Sequence, residues 1–134
     1  WKERFSNNKD LFIHIRAENI KKYTLDTSYY QHCIEKTKYE NIYLAKDNKS
    51  YETVKNLMNK YPNIKLVDKS PVQTIQFGCT CCNIILSHGT FSAMIGYLAY
   101  FSENIYYYNK EPGWCPIDLF QEKGFVRINK EELI

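Results

Sequence analysis

The sequence predicts a doubly wound α/β domain, a parallel sheet of about five strands with helices on both faces. Three observations support this. Short apolar runs recur at Leu11–Arg16, Asn41–Ala45, Ile64–Val67, Asn83–Leu86 and Asn104–Tyr108. The segments between them carry helical spacing and helix-start residues, and such alternation builds a parallel sheet. At 134 residues, with 44% hydrophobic and 25% charged side chains, the chain suits one domain with a real core. Right-handed crossovers make 3-2-1-4-5 the expected strand order.

Each element has a local cause. A charged lead-in precedes the first strand, which finishes on Arg16, and Glu18 to Thr27 is polar and irregular, a loop. Ser28 is placed to cap a helix through about Thr37, with Tyr30, Cys33 and Ile34 on one face. The second strand ends in the turn-prone Lys46-Asp47-Asn48-Lys49. Ser50 then caps a helix with Val54, Leu57, Met58 and Tyr61 at helical spacing, which Pro62 stops. Ser70-Pro71 opens a third helix, with proline in the first turn where its missing N–H costs nothing. A fourth helix spans Thr90–Ser102. Pro112 to Pro116 reads as a turn and Ile117 to Phe120 as a short helical segment.

Composition narrows the function classes. The net charge of +3 comes from scattered lysines without a basic stripe, which argues against a nucleic-acid partner. Lys, Asn, Ile and Tyr, all with A/T-rich codons, are abundant, so much of the tyrosine and asparagine content reads as genome bias. The chain opens at Trp1 without a methionine, an apolar signal segment or a basic leader, and the expectation is a piece of a longer protein. Ile84 to Phe101 approaches membrane-spanning length, but His88, Gly89 and several hydroxyl residues interrupt it, as a strand–helix junction would. Of the five cysteines, Cys79, Cys81 and Cys82 cluster while Cys33 and Cys115 stand apart. The Cys79–Cys82 spacing lies at a helix end rather than a helix start, and no second ligand pair accompanies it. The cysteines therefore read as small buried hydrophobes without metal, and a reducing, cytoplasmic compartment fits them slightly better.

The chemistry concentrates in two places. Ser87-His88-Gly89-Thr90-Phe91-Ser92 joins a buried strand to a helix, and such a turn aims backbone N–H groups and the positive helix end at an anion, most often phosphate. Ser87, Thr90 and Ser92 add hydroxyls, Gly89 allows close approach, and a plain helix cap at Thr90 is the structural alternative. Arg16, two residues beyond His14 on the same strand face, offers a planar fork for a phosphate, or else an ion pair with Glu18. His14 sits deeper, where backbone hydrogen bonding competes with catalysis. In the expected order, strands one and four meet where the winding reverses, so both features reach one crevice. Gln73 and Gln76 fall on the same rim, able to read a base or ribose, and Trp114 and Asp118 follow the fifth strand there.

These residues carry a resemblance. His14-Ile15-Arg16 resembles the HxRxGD-type motif of fucosyltransferase-like glycosyltransferases, including the alpha-1,2- and protein O-fucosyltransferases. The stretch from Gln73 through Ser87-His88-Gly89-Thr90-Phe91-Ser92 is similar to their later STFS-like donor motif. Trp114 to Phe120 is similar to a tail of bacterial and viral members, so the resemblance runs from about Leu11 to Phe120. It implies the C-terminal, Rossmann-like half of a GT-B enzyme that binds a nucleotide sugar, typically GDP-fucose. It further implies that Arg16 binds the donor diphosphate and that the Thr90-Phe91-Ser92 turn holds phosphate without a metal or other cofactor. The acceptor is then a glycan or protein hydroxyl, with the general base in an N-terminal domain outside this chain. Gln73 stands where some members carry an acidic residue for guanine, Glu18 replaces the motif glycine and Asn19 its aspartate. Two other readings remain. One is a donor-binding remnant without turnover. The other is a receiver-like signalling domain using Asp68, Thr90 and Lys110 at strand ends, although Ala17-Glu18-Asn19 supplies only half of the acidic pair this needs.

Overall fold

All six residues of the first strand, Asp10–Ile15 (β1), are buried, as expected of a central strand covered on both faces. The computed structural model describes residues 2–16, 26–47, 51–108 and 123–133. After β1 come α1 (Thr27–Lys36), β2 (Asn41–Lys46), α2 (Tyr51–Lys60), β3 (Lys65–Leu66) and α3 (Pro71–Gly78). Then follow β4 (Asn83–Ile85), α4 (Thr90–Leu98), β5 (Asn104–Tyr108) and β6 (Val126–Ile128). The strands form one sheet in the order β3-β2-β1-β4-β5-β6, every neighbouring pair parallel. The expected 3-2-1-4-5 order is present, extended by a sixth strand.

The two-residue period of β1 separates two cores. Leu11, Ile13 and Ile15 pack with Tyr29, Tyr30, Cys33 and Ile34 of α1 and with Val54 and Leu57 of α2. Phe12 faces the other way, into Phe77 of α3, Ile84 and Leu86 around β4, and Ile95 of α4. His14 and Arg16 share the parity of Phe12 and so belong to the α3/α4 side.

Several expected boundaries move for identifiable reasons. Asp26, not Ser28, holds the N-cap position of α1, and Ser28 lies within its first turn. The fourth helix stops at Leu98 rather than Ser102. The freed residues anchor the approach to β5: the Ser102 hydroxyl donates to the Cys81 carbonyl at 2.5 Å and the Glu103 N–H to the Cys82 carbonyl at 2.7 Å. The observed order also removes the receiver-like reading. A receiver carries β3 directly beside β1, whereas here β2 separates them and Asp68 is exposed at the far edge. Lys110, the turn at Pro112 to Pro116, the segment from Ile117 to Phe120 and the Ser50 cap lie outside the described residues.

The charged lead-in is an anchor rather than a tail. Arg4 Nη2 donates to Asp10 Oδ2 at 2.6 Å, its Nε donates to Thr80 Oγ1 at 2.9 Å, and its guanidinium lies 4.8 Å from the Phe77 ring centre. The Asn8 amide donates to the Arg4 and Thr80 carbonyls, and its oxygen accepts from the Asp10 and Cys82 N–H groups. Asn41 Nδ2 satisfies the other Asp10 oxygen at 3.1 Å. The Asp10 side chain is 5% exposed and that of Arg4 25%, so removing the cation strands a buried carboxylate. Arg4→Met is therefore expected to cost about 2–4 kcal/mol, read as a lowered urea midpoint. An unchanged midpoint would show that the pair contributes nothing.

Candidate functional site

The main-chain pairing of β1 with β4 ends at Ile13↔Ile85, three residues before Arg16, which lies just past the end of the strand. Ser87 takes over the rung. Its Oγ accepts the Arg16 N–H at 3.1 Å, donates to the Arg16 carbonyl at 3.4 Å and meets the Tyr30 hydroxyl at 3.0 Å. The Ser87 N–H donates in turn to Ser92 Oγ at 2.8 Å, tying the turn to the first turn of α4. Ser87 is 7% exposed and Ser92 fully buried. Their hydroxyls, expected to face a ligand, instead brace the turn.

Gly89 is the N-cap residue of α4, with φ of 98° and no side-chain cap. A Cβ built there would sit 2.7 Å from Arg16 Nη1. The guanidinium thus lies directly against the backbone that opens the helix, and only glycine combines that φ with that proximity. Arg16 and the Ser87–Ser92 turn converge at the reversal of winding. Thr90 is exposed at the first helical position rather than capping the helix. A guanidinium beside the positive end of a helix is a like-sign arrangement, which an anion in the crevice would relieve on both sides.

His14 lies beside this point, 6% exposed, its ring 5.0 Å from that of Phe91 and tilted by 38°. Phe91 therefore covers His14 from the first turn of α4. His14 Nδ1 is buried with no hydrogen-bond partner among the described residues. Burial pushes the His14 pKa down to about 4, Arg16 and His88 reinforce the shift, and Asp47 opposes it. The imidazole is neutral at pH 7. Asp47, in the turn-prone stretch just past β2, carries no local sign of this role. Its relevance comes from the parallel pairing that runs to Ile15↔Lys46, which carries the β2 exit alongside that of β1.

Gln73 belongs to a capping box. Ser70 Oγ accepts the Gln73 N–H at 3.2 Å and Gln73 Oε1 accepts the Ser70 N–H at 3.3 Å. Its carbonyl oxygen is engaged in starting α3, which gives this glutamine a structural task that the sequence reading did not assign. Gln76 is exposed on the same helix. Glu18, Asn19, Trp114, Cys115 and Asp118 lie outside the described residues. Burial pushes the Cys33 and Cys81 thiols up to about 12, and those of Cys79 and Cys82 upward as well. Among the described residues, no group of three or more His, Cys, Asp or Glu side chains could hold a metal ion.

No family model matches this sequence, and no curated protein matches it. Solved structures do. The selenomethionine form of fucosyltransferase NodZ from Bradyrhizobium superposes with a TM-score of 0.59 at 17% identity, over 85% of this chain and 42% of that one. NodZ alpha-1,6-fucosyltransferase co-crystallized with GDP gives a TM-score of 0.55 at 18% identity, over 81% of this chain and 40% of that one. The same enzyme soaked with GDP-fucose gives 0.55 at 13% identity, over 85% and 43%. The chain spans about two-fifths of the length of these neighbours and shares the Rossmann-like α/β fold of that part of a fucosyltransferase.

Two outcomes follow from this geometry. Gly89→Ala should lose about 1–3 kcal/mol of stability from backbone strain and push the guanidinium aside, visible as a lower melting temperature. His14 also links stability to pH. Between its ordinary 6.5 and the folded value of about 4, the unfolded chain holds a proton that the native chain rejects. Stability should therefore fall by up to roughly 3 kcal/mol as pH drops through that window. His14→Gln should flatten the fall, and a wild-type urea midpoint equal at pH 7 and pH 4.5 would contradict the assignment.

Proposed function

We propose that this chain is the donor-binding part of a fucosyltransferase-like glycosyltransferase and holds the diphosphate of a nucleotide sugar, GDP-fucose, between Arg16 and the entrance of α4. The observation that carries this reading is the 2.7 Å separation between Arg16 Nη1 and the Cβ position of Gly89. It joins a bidentate phosphate donor to a helix N-terminus in one crevice. The shared fold supports it, since the neighbours include structures prepared with GDP and with GDP-fucose.

The chemistry assigned to these residues is electrostatic. An acceptor hydroxyl oxygen forms a bond to the anomeric carbon of the sugar while the bond from that carbon to the diphosphate oxygen breaks. Negative charge then grows on the leaving diphosphate, where Arg16 and the first-turn N–H groups of α4 can stabilise it without a metal. Thr90, exposed at the helix entrance, adds a hydroxyl. Phe91 serves by covering His14, while Ser87 and Ser92 serve by holding the turn. His14, buried and neutral, is a weaker candidate for proton transfer than its place in the motif suggested. The acceptor site and general base are assigned to the remainder of a longer enzyme, so transfer is not expected from this chain alone.

Calorimetric titration with GDP, UDP and free fucose, with and without EDTA, tests the reading. GDP should bind and EDTA should leave its affinity unchanged. Arg16→Ala should lose about 2–4 kcal/mol of GDP affinity as a charge-assisted fork disappears, and Thr90→Ala about 1 kcal/mol. Equal binding by wild type and Arg16→Ala would end the phosphate role. Preference for UDP would change the donor, and strict Mg²⁺ dependence would end the metal-free mechanism.

A further inference from the structure

We infer that Tyr30 of α1 is a positioning residue for the proposed diphosphate site, acting through the Ser87 hydroxyl to fix the Arg16 backbone against the entrance of α4. This rests on the donor-binding reading for its functional consequence, but its structural content stands apart from it. Tyr30 is fully buried and belongs to the core on the face opposite His14. It cannot reach a ligand in the crevice. Its hydroxyl nevertheless meets Ser87 Oγ at 3.0 Å, at the point where sheet pairing between β1 and β4 has already ended.

One arrangement of protons satisfies all three of these contacts of the Ser87 oxygen at once. Ser87 Oγ accepts the Arg16 N–H and, with its single proton, donates to the Arg16 carbonyl. The Tyr30 hydroxyl then donates into the remaining lone pair. Burial pushes the Tyr30 phenol pKa upward, so the proton stays in place. With the third position filled, the serine oxygen has one orientation, and both backbone groups of Arg16 are held in it. Tyr29 does the corresponding work one residue earlier. Its hydroxyl donates to the Leu86 carbonyl at 2.5 Å, with the Tyr106 carbonyl at 3.3 Å. The two rings pack edge to face at 4.9 Å, so α1 presents a rigid pair of hydroxyls where the backbone ladder runs out.

The test separates positioning from stability. Tyr30→Phe keeps the ring and removes only the hydroxyl. Ile34→Val, in the same helix and the same core, serves as the control for loss of packing. In Tyr30→Phe, hydrogen exchange at the Arg16 amide should quicken about tenfold and GDP affinity should fall about fivefold, the size of one lost hydrogen bond. Ile34→Val should leave both unchanged. The double variant Tyr30→Phe/Ser87→Ala should match Ser87→Ala alone, because Tyr30 acts only through that oxygen. Wild-type exchange at Arg16 in Tyr30→Phe, equal effects in Ile34→Val, or additive losses in the double variant would each overturn the inference. Should Tyr30→Phe fail to fold, the Tyr30 hydroxyl proton of the wild type decides: a slowly exchanging resonance with a through-space contact to the Ser87 side chain supports the inference, and a phenol proton exchanging freely with solvent overturns it. Absence of any nucleotide binding by the wild type would defeat the donor-binding reading alone, since the exchange measurement still decides the role of Tyr30.

Discussion

The Ser87 hydroxyl is the contact on which the carboxyl edge of this sheet depends. Main-chain pairing between the parallel strands β1 and β4 stops there, at Ile13↔Ile85, as the chain beyond β4 turns into α4. That break strands backbone groups that sheet pairing would otherwise satisfy, and buried groups of that kind need partners. Serine is short enough to reach back to the neighbouring strand and carries both a donor and acceptors. It closes the gap to Arg16 while Ser92 closes the gap to α4. One strand exit, one turn and one helix start are thereby locked into a fixed relation.

That lock decides the electrostatics. Arg16 is held where a positive helix end already lies, and His14 is packed close enough to feel both Arg16 and His88. Burial is the main reason the histidine gives up its proton, and the neighbouring Arg16 and His88 add to it. The Arg16 guanidinium and the entrance of α4 thus place positive potential beside a neutral imidazole. Asp47 opposes this from the β2 side. Under the donor-binding proposal, an anion entering the crevice would meet donors already in place, the condition under which they contribute most to stabilising a leaving group.

The legible parts of this chain were those with strong local signals. Apolar runs, Pro62, Ser70-Pro71 and the need for right-handed crossovers gave the strand order, and with it the meeting of Arg16 with the Ser87–Ser92 turn. What stayed hidden depended on long-range partners. Arg4 looked like part of a charged leader because Asp10 and Thr80 meet it only after folding. The strand Val126–Ile128 is three residues long and pairs in parallel, so no hairpin turn announces it. Tyr29 and Tyr30 disappeared into a composition rich in tyrosine, yet both are fully buried and bonded to the carboxyl edge. Asn8 and Asn41 were lost in the same way. Ser92 and Gln73 were credited to a ligand because hydroxyls and amides near a helix start serve caps and ligands equally well. Only their distances distinguish the two uses.

The two edges of the sheet divide the labour. At the amino edge, opposite charges are paired: Arg4 meets Asp10, Asn41 completes the carboxylate, and Lys65 Nζ donates to Asn41 Oδ1 at 3.1 Å. At the carboxyl edge, the Arg16 guanidinium lies beside the positive end of α4, serine and tyrosine hydroxyls hold the backbone, and Asp47 acts on His14 from the β2 side. A carboxylate in place of Ser87 could have satisfied the Arg16 N–H, but it would also have drawn the guanidinium inward and cancelled the field. A hydroxyl fixes the backbone without adding a charge of its own. Neutral braces of this kind are compatible with the anion-binding role proposed for the turn. From α1, on the opposite face of the sheet, the phenols of Tyr29 and Tyr30 reach across to brace this edge.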